Sequence, residues 1–192
     1  MGADIHSFAE VKTNGKWVIV KDPIFYDYGE NKSTEPFGIR DYSVFGFLAD
    51  VRNYSNCEPI SETKGLPDDS EYLNTKLDKP ERYSYSGYDA GIAYTKKGEI
   101  ECDINYHSLS FLTLKELIDF DYEKTFWNRR ITKTTIRPNG GKIINGAALA
   151  EEGEGAIITY REHLGSAFFE DIEALKTLGN PEDVRIVFWF DN

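Results

Sequence analysis

Two of the three histidines stand among other polar residues and are the first candidates for chemistry. Imidazole is the side chain whose ordinary pKa lies closest to neutrality. If His6 and His107 met in one cleft, one ring could remove a proton at a phosphodiester while the other donated to the leaving oxygen. The alternative is a structural, hydrogen-bonded role for each ring, because histidine is commonly intermediate in burial. We take His6 and His107 as candidate catalytic residues and predict that His163 is a solvated helix residue.

Carboxylates lie close to the first histidine. A period of two along a strand puts Asp4, His6 and Glu10 on one face. With His107 or Asp191 they could bind a divalent metal, since imidazole and carboxylate are both metal ligands. An Asp-x-His pair arises easily by chance, and the chain has no HExxH, CxxC or EF-hand pattern. We therefore predict no metal site, assign no cofactor, and keep Asp4 and Glu10 as candidate ligand-binding residues.

Four polar residues in irregular segments are further candidates for ligand binding. Arg52, two residues after Asp50, has the planar guanidinium that suits a phosphate or carboxylate, although an ion pair with Asp50 or another acid would also satisfy it. Asp68 and Asp69 follow Gly-Leu-Pro. They either cap a short helix, which is the interpretation we favour, or accept hydrogen bonds from a ribose or a base edge.

Tyrosines in the segment 83–91 supply another kind of candidate. The segment mixes Tyr, Ser and Gly, as adaptable recognition surfaces do, and a tyrosine ring can stack on a base at about 1 to 3 kcal/mol. Tyr85 and Tyr88 are the candidates for this role, and an exposed loop without a ligand is the alternative. Long irregular segments in a compact domain tend to be functional or mobile, so we expect a lid here.

Composition narrows the classes of function. The chain has 22 Lys and Arg against 33 Asp and Glu, a net charge of −11. Such a field repels phosphate backbones, so we expect no binding of duplex nucleic acid, although a local cationic pocket could still take one small anion. The chain has no GxGxxG, Walker A or GxSxG motif. Dinucleotide-binding, P-loop and hydrolase-elbow mechanisms therefore lose support.

Cysteines and apolar segments bear on the compartment. Cys57 and Cys102 form no CxxC pattern, so we interpret them as reduced thiols. No segment approaches the ~18 apolar residues of a membrane helix, and no leader precedes the first strand. We expect a cytoplasmic protein without membrane contact, whose oligomeric state the sequence leaves open.

The first elements of the chain are a hairpin and a helix. Asn14-Gly15 tolerates the positive φ angles of a type I′ turn and predicts a β-hairpin over residues 4–21. Residues 22–40 have the pattern of a loop, because proline and glycine interrupt every period. Asp41 can cap a helix over residues 42–50 that carries one apolar stripe.

Later elements alternate between helix and strand. Thr113 and Glu116 form a capping box at the start of a second helix, and the apolar period predicts a third helix over residues 162–178. Residues 124–137 have the composition of a strand. The near-continuous apolar run 184–190 predicts a central strand covered on both faces.

Length and element order together predict the fold class. A chain of 192 residues suits one domain with a sizeable core. We predict a single α+β domain over residues 1–192. Its mixed, mainly antiparallel sheet would contain the N-terminal hairpin and the C-terminal strand, and three or so helices would pack on it.

Five segments together resemble a family of uncharacterised phage and bacterial proteins that open Met-Gly-Cys-Asp-Ile-His. The resemblance runs nearly from end to end. It is carried by Met1-Gly-Ala-Asp-Ile-His6, Ser43–Asn53, Gly65-Leu-Pro-Asp-Asp69, His107 with Phe111–Leu117, and Val184–Asp191. Ala3 replaces the cysteine of that opening, which argues against a thiol-based role at this position.

The resemblance implies a phage or prophage setting and a location in the host cytoplasm. That setting favours proteins that interfere with host defence, including those that sequester or cleave nucleotide signals. We therefore expect a protein that binds a small nucleotide-like ligand and sequesters a host immune signal.

Two alternatives stay open. One is a phosphodiesterase that cleaves a cyclic nucleotide with His6 and His107 as acid and base, while Arg52 stabilises charge on the phosphate. The other is an acidic inhibitor that binds a host protein. Both nucleotide hypotheses predict that His6 and His107 meet in one concavity with Arg52 or Asp50 beside them.

Overall fold

The computed structural model describes residues 2–73, 93–94, 100–101, 106–130 and 155–191. Within these residues the chain folds as ten strands, three helices and the first turn of another helix, which confirms the α+β class. The predictions for Tyr85, Tyr88 and Cys102, and for a lid in segment 83–91, lie outside the described residues.

Two kinds of element alternate along the chain. The strands are β1 (Asp4–Thr13), β2 (Lys16–Ile19), β3 (Phe25–Tyr26), β4 (Lys32–Ser33), β5 (Ala93–Tyr94), β6 (Ile100–Glu101), β7 (His107–Thr113), β8 (Thr125–Asn128), β9 (Ala156–Thr159) and β10 (Val184–Asp191). The helices are α1 (Tyr42–Ala49), α2 (Leu114–Asp119) and α3 (Tyr160–Lys176). In the described part of the chain, none of them is long and apolar enough to cross a membrane.

The chain forms two compact units. The first consists of Met1–Arg40, Thr63–Asp119 and Glu170–Asn192, and the second of Asp41–Glu62 and Phe120–Phe169. An antiparallel four-stranded sheet, in the order β2-β1-β10-β7, organises the first unit. A cluster of aromatic rings organises the second.

β1 and β2 form the hairpin that the Asn-Gly pair predicts. Asn14 and Gly15 connect the strands with φ angles of 52° and 80°. Both angles are positive, as a type I′ turn requires, and only asparagine, aspartate and glycine adopt them readily. The prediction is confirmed.

β10 is one of the two inner strands of the sheet, since it pairs with β1 on one side and β7 on the other. Val187 packs against Phe8 and Leu73 on one face. Phe188 and Phe190 are fully buried, and their rings contact each other at 6.0 Å on the opposite face. Cover on both faces explains the near-continuous apolar run and confirms the predicted central position.

Residues 22–40 are more ordered than their proline and glycine content predicts. β3 and β4 pair within this segment. The carboxylate of Asp171 accepts the amide hydrogen of Tyr26 at 2.5 Å through one oxygen and that of Phe37 at 2.6 Å through the other. This anchor lies more than a hundred residues away in sequence, so no local pattern could have predicted it.

α1 begins where the sequence predicts. The carboxylate of Asp41 accepts the amide hydrogen of Ser43 at 2.8 Å, which satisfies one of the free donors of the first turn. The helix ends before Asp50, whose left-handed backbone has a φ of 59°. The predicted boundaries are correct to within one residue.

Two helices begin with capping boxes. At the start of α2, Glu116 Oε2 accepts the amide hydrogen of Thr113 at 2.9 Å and Thr113 Oγ1 accepts that of Glu116 at 3.2 Å, which confirms the prediction. Thr159 and Glu162 make the same reciprocal bonds at 2.8 and 3.1 Å. This second Thr-x-x-Glu box starts α3 two residues earlier than predicted.

The second unit has an aromatic core. Phe47 of α1 contacts four other rings at centroid distances of 4.9 to 6.0 Å: Phe120, Tyr122, Tyr160 and Phe168. β8 and β9 pair antiparallel, from Thr125 with Thr159 to Asn128 with Ala156. The predicted strand 124–137 is confirmed for the residues of β8, and its end lies outside the described residues.

Candidate functional site

His6 of β1 lies directly opposite Trp189 of β10. The two rings stack with centroids 5.6 Å apart and planes 10° apart, and the ring of Tyr106 meets the imidazole edge-on at 5.6 Å. The Nε2 atom of His6 lies 3.1 Å from Oδ2 of Asp191. Because 38% of the His6 side chain and 34% of the Asp191 side chain are exposed, a ligand can reach this pair.

Asp4 and Arg40 adjoin the pair. The amide of Asp4 donates to Oδ1 of Asp191 at 3.2 Å, and Arg40 donates to the Asp4 carboxylate through Nε at 2.6 Å and also through Nη2. The hydrogen bonds from Arg40, more than its charge at a distance, lower the pKa of Asp4. We call these residues the His6 cluster: Asp4, His6, Arg40, Tyr106, Trp189 and Asp191.

The register of the sheet explains why the cluster forms. Antiparallel pairing brings the start of β1 to the end of β10, so Asp4 faces Asp191 and His6 faces Trp189. Paired residues share a face of the sheet. The sequence patterns indicate Asp191 only as a metal ligand and do not indicate Trp189 at all, since 185 residues separate His6 from Asp191.

The His6 cluster offers three kinds of interaction. An imidazole held by a carboxylate can accept or donate a proton in a fixed orientation. Carboxylate oxygens accept hydrogen bonds from ligand hydroxyls. Trp189 and Tyr106 offer aromatic surface, and Nε1 of Trp189 is buried without a hydrogen-bond partner among the described residues. Over those same residues, no three potential metal ligands come together.

His107 does not join His6. It pairs with Phe190, and their rings stack at a centroid distance of 6.1 Å. Phe190 follows Trp189 on β10, and successive side chains of a strand point to opposite faces. The prediction that His6 and His107 meet in one concavity is therefore wrong. The Nδ1 atom of His107 lies 3.0 Å from the hydroxyl of Ser108, whose φ of 53° accompanies a bulge in β7.

Glu10, a candidate ligand-binding residue, is fully buried. Its carboxylate accepts a hydrogen bond from Nε of Arg185 at 2.8 Å and another from the hydroxyl of Ser70. The guanidinium of Arg185 also lies over the ring of Trp17 at 4.0 Å. These contacts occupy both oxygens of Glu10, so the structure assigns the carboxylate a structural partner in place of the predicted ligand.

The residue that caps the helical turn is Ser70, not Asp68 or Asp69 as the sequence predicts. The hydroxyl of Ser70 accepts the amide hydrogen of Leu73 at 3.2 Å, at the start of the helical turn 71–73. Asp69 instead accepts a hydrogen bond from Nη1 of Arg185 at 2.7 Å. The side chain of Asp68 is exposed. The cap prediction is wrong because serine and aspartate compete for this role and only tertiary contacts separate them.

Asp50 and Arg52 belong to the second unit. The Asp50 carboxylate accepts a hydrogen bond from Nδ2 of Asn53 at 2.7 Å. Arg52 adopts a left-handed backbone with φ 49°, and its Nη1 lies 3.5 Å from the hydroxyl of Tyr54. Asp50 therefore stabilises the turn that follows α1, and Arg52 is presented beside an aromatic ring.

His163 is not a solvated residue, so that prediction is wrong. Burial lowers its pKa to about 4. Its Nε2 lies 3.1 Å from the hydroxyl of Ser55, and its Nδ1 lies 3.4 Å from Nδ2 of Asn128. His163 is partly buried, and the helical period places it at i+3 from the buried Tyr160, a signal that could have predicted its partial burial.

The Ser55, His163 and Asn128 side chains have the composition of a catalytic triad but the opposite hydrogen-bond direction. Oδ1 of Asn128 accepts the amide of Arg130 at 2.7 Å, so its Nδ2 must donate to His163 Nδ1. The imidazole then carries its proton on Nε2 and donates to Ser55, which in turn donates to Asn53 at 3.1 Å. A histidine in this state cannot remove the serine proton. The arrangement is structural.

No protein-family model, curated protein or solved structure matches this chain.

Proposed function

We propose that the protein binds a small nucleotide-like ligand at the His6 cluster. The observation that carries the proposal is the accessible imidazole of His6, held at 3.1 Å by Asp191 and stacked on Trp189. The resemblance to phage proteins makes a host immune signal the class of ligand to test first, with sequestration as the outcome.

Aromatic surface supports recognition of the base. The rings of His6, Trp189 and Tyr106 contact one another with centroids 5.6 to 6.5 Å apart. A base stacked on such a surface gains about 1 to 3 kcal/mol, and stacking is tolerant of base identity. The buried Nε1 of Trp189 supplies a donor that a base acceptor could satisfy after a small shift of the ring.

Charges in the cluster support recognition of the ribose more than of the phosphate. Asp4 and Asp191 are both half-exposed acceptors, and ribose hydroxyls are donors. Arg40 already binds Asp4, which reduces the positive field available to a phosphate.

The geometry favours binding over cleavage by two histidines. Acid and base must both reach the scissile phosphodiester, whereas His6 and His107 pair with successive residues of β10 and face opposite sides of the sheet. A two-histidine phosphodiesterase therefore has no support from the described residues. A ligand held by the His6 cluster should return intact.

Calorimetry against a panel of cyclic and ADP-ribose-type nucleotides tests the proposal. We expect heat with at least one of them and a loss of affinity of about tenfold or more in the His6→Ala variant. Lys115→Ala is the control, because it removes an exposed ion pair on α2 and leaves the cluster untouched. Chromatography of the ligand released by heat should show unaltered nucleotide. Absence of heat with every nucleotide would overturn the proposal.

An acidic inhibitor of a host protein is the second candidate function, and the net charge of −11 favours it. Such binding would weaken steeply with salt, because exposed charges are screened within ~8 Å at physiological ionic strength. Pull-down from host lysate at low and high salt separates the two candidates. Recovery of no partner at low salt would remove this one.

A further inference from the structure

The loop that follows α1 has an unusual backbone. Asp50, Arg52 and Asn56 all have left-handed φ angles, of 59°, 49° and 65°. For a residue such as arginine, a left-handed backbone costs about 1 to 3 kcal/mol unless the surroundings hold it. Aspartate and asparagine adopt such angles readily, so of the three residues only Arg52 has an uncommon backbone.

Asn53 holds this loop in place. Its Nδ2 donates to Asp50 and to the carbonyl oxygen of Cys57, both at 2.7 Å. Its Oδ1 accepts the amide of Cys57 and the hydroxyl of Ser55, both at 3.1 Å. With its donors and acceptor all in use, Asn53 fixes the direction in which the loop presents Tyr54.

Tyr54 is the exposed tip of the loop, with 40% of its surface accessible. The guanidinium of Arg130 lies over its ring at 5.2 Å, and Nη1 of Arg52 lies 3.5 Å from its hydroxyl. Two guanidinium groups from separate segments thus converge on one exposed ring. The backbone amide of Arg129, which donates to the carbonyl of Ser55 at 3.0 Å, holds the two segments side by side.

Arg130 differs from Lys124 and Arg161 of the same unit. Lys124 bonds Glu58 and Arg161 bonds Glu123, whereas no carboxylate among the described residues forms an ion pair with Arg130. In a chain with 33 acidic and 22 basic residues, acidic partners are in excess. Among the described residues, a guanidinium outside such an ion pair adds a local positive potential to a chain of net negative charge.

We infer that Arg130, Arg52 and Tyr54 form a second binding site, which takes the phosphate group of a small molecule. Guanidinium groups match phosphate oxygens with paired N–H donors, and they are less strongly hydrated than an ammonium group. The hydroxyl of Tyr54 adds a third donor. This site is independent of the His6 cluster, so either proposal can fail without the other.

Titration of inorganic phosphate at low ionic strength, followed by ¹⁵N NMR of arginine Nε–H groups, tests the inference. We expect saturable shifts of the Arg130 and Arg52 resonances and at least about a fivefold weaker affinity in Arg130→Gln. Arg130→Lys should recover part of the loss, since it keeps the charge without the planar fork. Parallel titrations with sodium sulfate and with ADP show whether the site binds any dianion or prefers the phosphate of a nucleotide.

Arg161→Gln is the matched control. Arg161 also lies over an aromatic ring, that of Phe169 at 4.5 Å, but it is paired with Glu123. Its loss should leave phosphate affinity unchanged. Equal weakening by Arg130→Gln and Arg161→Gln, or shifts spread evenly over all arginines, would show screening of net charge and overturn the inference. Amide spectra of each variant report whether the fold is retained.

Discussion

Arg185 and Glu10 form a fully enclosed ion pair between the paired strands β10 and β1, with Nε and Oε2 2.8 Å apart and side-chain exposures of 3% and 0%. Asp69 accepts a hydrogen bond from a second nitrogen of the Arg185 guanidinium. The ring of Trp17 covers the face of that guanidinium. The pair joins the hairpin, the central strand and the segment before the helical turn at 71–73. It is the polar centre of the first unit.

Removing one partner of this pair should destabilise the protein strongly. Glu10→Ala leaves the Arg185 charge buried without its carboxylate, and we expect the free energy of unfolding to fall by about 3 to 5 kcal/mol in urea titrations. A double variant, Glu10→Ala with Arg185→Met, should be more stable than Glu10→Ala alone, because no buried charge is then left without a partner and the Asp69 side chain is 58% exposed to water. Lys16→Ala, which removes the exposed pair with Glu71, is the control. A Glu10→Ala midpoint equal to the Lys16→Ala midpoint would contradict the prediction.

His163 should make stability rise with pH. Burial lowers its pKa from 6.5 to about 4, so between these values the unfolded chain binds a proton that the folded protein does not. The stability of the wild type relative to His163→Gln should therefore fall by up to about 3 kcal/mol as the pH drops from 6.5 to 4. Above pH 6.5 the difference should be flat. A difference that stays constant throughout would show that the ring is accessible to solvent.

Asp171 should have the opposite effect in an overlapping window. Burial raises its pKa from 3.8 to about 6, despite the hydrogen bonds from the amides of Tyr26 and Phe37 that favour the carboxylate. The folded protein therefore binds the extra proton, and stability is lost as the pH rises from about 4 to 6. Relative to Asp171→Asn, the wild type should lose up to about 3 kcal/mol over that rise. A gain over the same interval would mean that the two amides outweigh burial.

Gly165 should resist substitution although it has room for a side chain. Its backbone has φ 72° and ψ 176° inside α3, a region that only glycine visits freely. Among the described residues, no neighbouring atom lies within 4 Å of the place that a Cβ would occupy. Gly165→Ala should therefore lower the free energy of unfolding by about 1 to 3 kcal/mol through the backbone alone. Ser166→Ala, at the exposed next residue, should change it far less. Equal effects would show that the kink relaxes without strain.

Local chemistry in the sequence determined where elements begin and turn. Asn14-Gly15, Asp41 and the pair Thr113 and Glu116 each specify a turn or a cap through bonds that span at most a few residues. The apolar run of β10 likewise specified a strand covered on both faces, because burial there leaves no polar face to alternate. These bonds join residues that are close in sequence and need no distant partner, which is why these predictions agree with the structure.

Tertiary structure alone decided which polar groups meet. His6 binds Asp191 and Glu10 binds Arg185 because β1 and β10 pair antiparallel in one register. The same pairing sends His107 to the other face of the sheet from His6. A shift of one residue in that register would exchange the faces of every side chain on the strand, and no composition or spacing within a single segment fixes it. The sequence supplied the candidate groups, and the register of distant strands selected those that share a site.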